Sequence, residues 1–250
     1  MVDAGSRHRE GKDMRTSPVR LLLCASIACA GFIAESSAQV SEPRSLLIRY
    51  KEHVAMKWGE PSFGTGAKVT YAFVRHSVRI ENGLQRNGVC TEIAPLGKVF
   101  ALPMRVLMEE TRAALARWAA VTNLDFVEVA QTNAEILIGS LPHESGAPHG
   151  IKSRVNLVAT PPSSGNVSTI RKAAICLRQD VSWTLGGGGW DVRVALTHEL
   201  GHVIGIDHPE HVAPGEGKEW PVMHNRFAPS PELTRSDIVG AVSLYGARVF

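Results

Sequence analysis

The chain is poor in aromatic residues and in charge of one sign. Aromatics make up 6% of its 250 residues, too few for the stacking platforms that hold single-stranded nucleic acid. Lys and Arg total 27 against 24 Asp and Glu, a formal net charge of +3. So small an excess gives no argument for a nucleic-acid groove or for binding to an anionic membrane surface. No apolar run reaches the roughly 20 residues that a helix needs to cross a bilayer. Cysteine is scarce, at 4 residues, and there is neither an internal repeat nor a low-complexity tract. What is present is enough apolar residue, 44%, to bury a core and exclude wholesale disorder. The 23 glycines, 14 prolines and 10 histidines point to long shaped loops and to metal chemistry.

The longest weakly polar run, Leu21 to Ala34, has 14 residues, follows Arg15 and Arg20, and precedes Ser36-Ser37-Ala38. A basic stretch, a short apolar stretch and small residues form the three-part layout of a secretory signal, with cleavage expected after Ala38. The expected organisation is therefore a leader over 1–38, an N-terminal segment over 39–57 and one domain over 58–250. Removal of the leader takes Cys24 and Cys29 with it and leaves Cys90 and Cys176. In an oxidising compartment these two are either a disulfide or a pair of buried thiols; spacing does not choose between them.

Along the mature chain, Ser45 to Met56 reads as a short amphipathic helix and Trp58 to Gly66 as a loop. Strands are expected at Lys68–Arg75, Asp125–Val129, Ala134–Ile138, Val155–Ala159 and Ala173–Leu177, from their β-branched and apolar content. Helices are expected from Pro103 to about Val121, where Val106, Leu107, Ala114, Leu115 and Trp118 recur at helical spacing, from about Val192 to Ile204 with Asp191 as cap, and from about Pro231 to Leu244. Gly186 to Gly189 form a glycine loop before the second of these. Strands interspersed with three helices predict an α+β fold.

One segment decides the chemistry: His198-Glu199-Leu200-Gly201-His202-Val203-Ile204-Gly205-Ile206-Asp207-His208. His198 and His202, four apart on a helix, share one face and can grip one metal ion. Glu199 is offset around the helix, able to reach a water at the open coordination position. On a continuous helix His208 would lie about 15 Å from His198, so the chain must turn back. Gly205 is placed for that turn, because it takes positive φ at little cost. Three imidazoles and one open position are the pattern of a catalytic zinc, whereas a structural zinc is closed by four protein ligands. Chance would produce the whole pattern in on the order of 10⁻⁴ of chains at ordinary composition, which argues against unrelated surface histidines.

This extended motif resembles that of the metzincin zinc endopeptidases, and the chain as a whole is similar to their matrixin branch, in its bacterial secreted type. Val222-Met223-His224 resembles the Met-turn, whose methionine lies beneath the metal-binding histidines. Pro231 to Ile238, continuing to Leu244-Tyr245-Gly246, resembles the C-terminal helix of that family. Arg117-Trp118, Leu124-Asp125-Phe126 and Ala134 to Ile138 resemble its first long helix and the next two strands. There are departures: Pro209 stands where a serine usually follows the third histidine, and residues 39–57 hold no cysteine-switch segment. His143 and His149 lie in the loop that in animal members helps bind a second zinc, but Ile175 stands on the edge strand where a histidine would complete that site, so the two read as loop histidines. His211 and His224 read as surface residues near the site.

The resemblance implies a metzincin-like fold: a twisted, mostly parallel sheet with an antiparallel edge strand, an active-site helix and a C-terminal helix. It implies a secreted zinc endopeptidase with one catalytic zinc on His198, His202 and His208, Glu199 as general base and Met223 as the Met-turn residue. Calcium is left open. The expected partner is a protein or peptide lying along the Ala173–Leu177 strand, with about Asn225 to Pro231 walling the pocket beyond the scissile bond. No nucleic acid and no transmembrane helix are expected, the assembly is expected to be a monomer, and the location is extracellular or periplasmic. The rival function is a secreted zinc-binding or adhesion module on a protease scaffold. Glu199 argues against it, because a binding module has no need of a base.

Overall fold

In the computed structural model, residues 49–50, 54–81, 90–99, 101–141, 152–160, 165–209, 220–225 and 228–250 are described. The leader, His53, His143, His149 and His211 lie outside them. In chain order the elements are β1 (Arg49–Tyr50), β2 (Val54–Lys57), β3 (Ala67–Phe73), β4 (Val78–Arg79), β5 (Glu92–Ile93), α1 (Met104–Val121), β6 (Leu124–Glu128), β7 (Ile136–Leu141), β8 (Ser153–Ala159), β9 (Val167–Arg178), β10 (Trp183–Thr184), β11 (Trp190–Asp191), α2 (Val192–Val203) and α3 (Arg235–Tyr245). The main sheet runs β1-β2-β9-β7-β3-β6, and β8 pairs with β9. Strands β6, β3, β7 and β9 are mutually parallel, whereas β8 runs antiparallel to β9. The expected α+β fold with an antiparallel edge strand is the observed one.

Periodicity explains the elements that matter for the site. In α1 the buried residues Leu107, Thr111, Ala114, Leu115 and Trp118 repeat at three, four and seven, one stripe of a 3.6-residue helix. Strand β7 is buried along its whole length, because both faces of the sheet are covered there: Ile136 and Ile138 enter one core cluster, Leu137 and Leu141 the other. α1, α2 and α3 contribute to the core cluster on one face of the sheet. A smaller cluster lies on the other face, containing Val74, Ile93, Leu137, Ala174, Cys90 and Cys176.

Those cysteines pair. The Cys90–Cys176 disulfide closes a loop of 86 residues with its Cα atoms 6.0 Å apart, and so ties the segment before β5 to the C-terminal part of β9. Replacing both cysteines by alanine is expected to lower unfolding stability by about 2–4 kcal/mol, because an open loop of this length returns entropy to the unfolded chain. Urea denaturation of the double variant checks this, and its metal content should not change.

Three sequence expectations need correction. The described part of Ser45–Met56 is not helical: Arg49–Tyr50 pairs with Val54–Ala55, and Ala55–Lys57 pairs with Val167–Thr169 of β9. A sheet partner more than a hundred residues away offers this segment a ladder that local periodicity does not reveal. Ala173–Leu177 is not the sheet edge, because β7 and β8 flank it on its two sides. Among the described residues, β8 has β9 as its one partner, so Ser153–Ala159 is the edge. Finally, α3 begins at Arg235 rather than Pro231, because Thr234 forms its cap.

Candidate metal centre

The centre is built on α2. Asp191 caps it, its carboxylate accepting from the Arg193 amide at 2.9 Å, as the early sequence pattern predicts. The Trp118 indole of α1 donates to the Thr197 carbonyl at 2.9 Å and holds the helix just before His198. At the far end the Trp58 indole donates to the Val203 carbonyl at 2.9 Å. The Tyr245 hydroxyl donates to the Ile204 carbonyl at 2.8 Å and accepts from the Trp58 amide at 3.0 Å. Carbonyls that the helix leaves unpaired at its C-terminus are thus taken up by Trp58 and by Tyr245 of α3.

The helix then stops so that the chain can turn back to bring in His208. The Ile206 amide bonds the Gly201 carbonyl and the Gly205 amide bonds the His202 carbonyl, both at 2.9 Å, the paired bonds of a Schellman turn with glycine at its left-handed position. Gly205 has φ 94°, and a Cβ there would meet the Met56 carbonyl oxygen at 2.0 Å. Both the backbone conformation and the close approach of β2 therefore demand glycine.

The reversal brings three imidazoles together. The Nε2 atoms of His198, His202 and His208 are each 3.1 Å from the other two. The other ring nitrogens of the first two are committed: His198 Nδ1 donates to the Val222 carbonyl at 2.7 Å, and His202 Nδ1 to the Ile206 carbonyl at 2.8 Å. A carbonyl only accepts, so the protons sit on Nδ1 and the Nε2 lone pairs face one another. Desolvation holds His198 below the usual histidine pKa, while its bond to Val222 pulls the other way. Lone pairs facing at such a distance repel unless a cation lies among them, and the triangle is small enough for one ion with nitrogen bonds of about 2.0–2.1 Å. Among the described residues these three form the one group of His, Cys, Asp or Glu able to hold a metal ion. The donor set fits zinc with an open position.

Glu199 lies beside the triangle and is buried, with 8% exposure. Burial pushes its carboxyl up to about 7, against the pull of the Ser153 hydroxyl and of nearby His208. The Ser153 hydroxyl donates to Glu199 Oε1. Met223 is fully buried, and its sulfur lies 2.1 Å from where a Cβ on Gly201 would stand. Glycine at 201 is what lets the methionine pack against α2 between His198 and His202. His224 is a further correction: it is buried, with 7% exposure, because its ring packs edge-on against Trp220 at 4.7 Å.

Asp237 is the residue that reading for ligands passed over. It is fully buried on α3 and accepts from the amides of Val222 at 3.0 Å, Met223 at 3.2 Å and Thr234 at 2.9 Å, and from the Thr234 hydroxyl at 2.8 Å. It thus holds the turn whose Val222 carbonyl orients His198. The signal was present in Thr234-Arg235-Ser236-Asp237, a Thr three residues before an acid at the start of a helix.

Comparison with known proteins agrees with this geometry. Residues 96–246, more than half of the chain, match the family model described as Matrixin. Over 152 residues the chain is 31% identical to stromelysin-2 of Rattus norvegicus, covering 59% of this chain and 30% of that protein. It is 29% identical to matrilysin of Mus musculus over 152 residues, 59% of this chain and 54% of that protein. Over 102 residues it is 28% identical to karilysin of Tannerella forsythia, 39% of this chain and 21% of that protein. The chain spans about half or less of the length of these relatives. The matched stretch contains the three histidines, Glu199, the Met223 turn and α3, and the chain belongs to the matrixin family.

Proposed function

We propose that the chain is a secreted zinc-dependent endopeptidase, made with a leader over 1–38 and acting through the domain over 58–250. The observation that carries this reading is the triangle of Nε2 atoms at 3.1 Å with the buried Glu199 carboxyl beside it. His198, His202 and His208 would hold the zinc. When bound, zinc supplies a Lewis acid that acidifies water and polarises the scissile carbonyl.

The protein groups do the rest. Glu199 takes a proton from the attacking water as its oxygen bonds to the carbonyl carbon. It then passes that proton to the amide nitrogen as the C–N bond breaks, leaving a carboxylic acid and an amine. Met223 packs beneath the ligands and holds no metal. The open edge of β8 is suited to an extended peptide that adds as a further strand through main-chain hydrogen bonds. Among the described residues no helix is long and apolar enough to cross a membrane. In this reading the chain is a monomer that acts on protein outside the cell or in the periplasm.

Casein digestion by the purified chain, with and without a zinc chelator, tests this. Cleavage that stops with chelator and returns with added zinc is expected. Cleavage indifferent to chelator would overturn the zinc mechanism. Bound zinc with no cleavage of any protein would favour the non-catalytic binding module.

A further inference from the structure

We propose that Ser153 is the positioning residue for the general base, an inference that rests on the reading of Glu199 as that base. Among the described residues the Ser153 hydroxyl is the one hydrogen-bond partner of the Glu199 carboxyl. The contact is to Oε1, which leaves Oε2 for the proton in transit. A base acts only on a proton within hydrogen-bond reach, and a glutamate side chain has several torsions to fix before it points reliably. Helix α2 fixes the Cα of Glu199 but not its carboxyl. Ser153 supplies the second anchor from a different element, as the first residue of β8, held opposite Leu177 of β9 by the sheet ladder.

The chemistry of the anchor suits the task. A hydroxyl donates one hydrogen bond and brings no charge, so it orients the carboxylate without neutralising it as an arginine or lysine would. In the reaction the water O–H bond breaks, Oε2 takes the proton and then yields it to the leaving nitrogen, and Ser153 keeps its own proton throughout. The same strand offers its outer edge to the peptide and holds the base from its inner side. Substrate and base are therefore aligned by one rigid element, a type of support on which catalytic geometry depends.

The test uses the zinc-loaded full chain with casein and a short peptide cleaved from it. Ser153→Ala should lower kcat about 10- to 100-fold, the loss of one hydrogen bond to a charged group. KM should stay within about twofold, because the substrate edge of β8 is main chain. Zinc content should remain at one per chain, and Ser153→Thr, which restores a hydroxyl at the same place, should recover most of kcat. An unchanged kcat in Ser153→Ala overturns the proposal. So does a loss that Ser153→Thr fails to recover, or one carried by KM, since a role in packing or substrate binding would then suffice. Glu199→Ala is measured alongside. If that variant keeps its activity, the base assignment fails and Ser153 with it; if it is inactive while Ser153→Ala is normal, only the Ser153 inference fails.

Discussion

Glu199→Ala should retain one zinc per chain and lose roughly 10²- to 10⁴-fold in kcat, the range a positioned acid–base group contributes. Its carboxyl is not a corner of the nitrogen triangle, so ligand geometry survives its removal. The fold should survive as well. Removing the buried carboxyl relieves the desolvation that disfavours its ionised form but takes the acceptor from the Ser153 hydroxyl, so the two effects oppose and the melting temperature should change little. Glu199→Gln sharpens the test. It keeps the shape and can still accept from Ser153, yet cannot carry a proton, so its loss in kcat should equal that of the alanine variant. A glutamine variant near wild-type activity would reduce the role of Glu199 to shape alone.

Asp237→Ala should act in the opposite way, through the fold first. Three amides and one hydroxyl lose their acceptor inside the protein, and each buried donor left unpaired costs about 1–3 kcal/mol. With partial relaxation the total should reach about 4–6 kcal/mol, among the largest effects of a single substitution. The consequence for the metal follows the chain of contacts. Once Val222 and Met223 are no longer held by α3, the Val222 carbonyl no longer fixes the His198 ring, and zinc affinity should fall about 10- to 100-fold. Asp237→Asn keeps one accepting oxygen and should fall between. Urea denaturation in zinc-free buffer measures the first effect and competitive zinc titration the second. A loss of less than about 1 kcal/mol would show that the Val222–Met223 turn stands without α3.

What was legible in the sequence follows the range of the interaction. His198, Glu199 and His202 lie on one helix, where spacing alone sets geometry, and Gly205 marks the turn that His208 requires. The long stripe of α1 and the cap at Asp191 are equally local. The features misread or left open depend on partners distant in sequence. Ala55–Lys57 becomes a strand because Val167–Thr169 lies beside it. Cys90 and Cys176 meet because β9 passes behind the segment before β5. His224 is buried because Trp220 closes over it. Ala173–Leu177 carries the composition of a strand, but composition does not say how many neighbours it has, and β8 took the edge. Ser153 gave no local signal at all; its hydroxyl matters through Glu199, which lies 46 positions further along the chain.

The most direct measurement is the metal content of the purified chain. One zinc per chain is expected in the wild type and in Glu199→Ala, and none in His202→Ala, which should also lose stability because ion binding and folding are coupled. A wild-type chain that takes up no zinc from zinc-containing buffer, or a His202→Ala variant that still holds one equivalent, would contradict the assignment of the three histidines and the chemistry built on them.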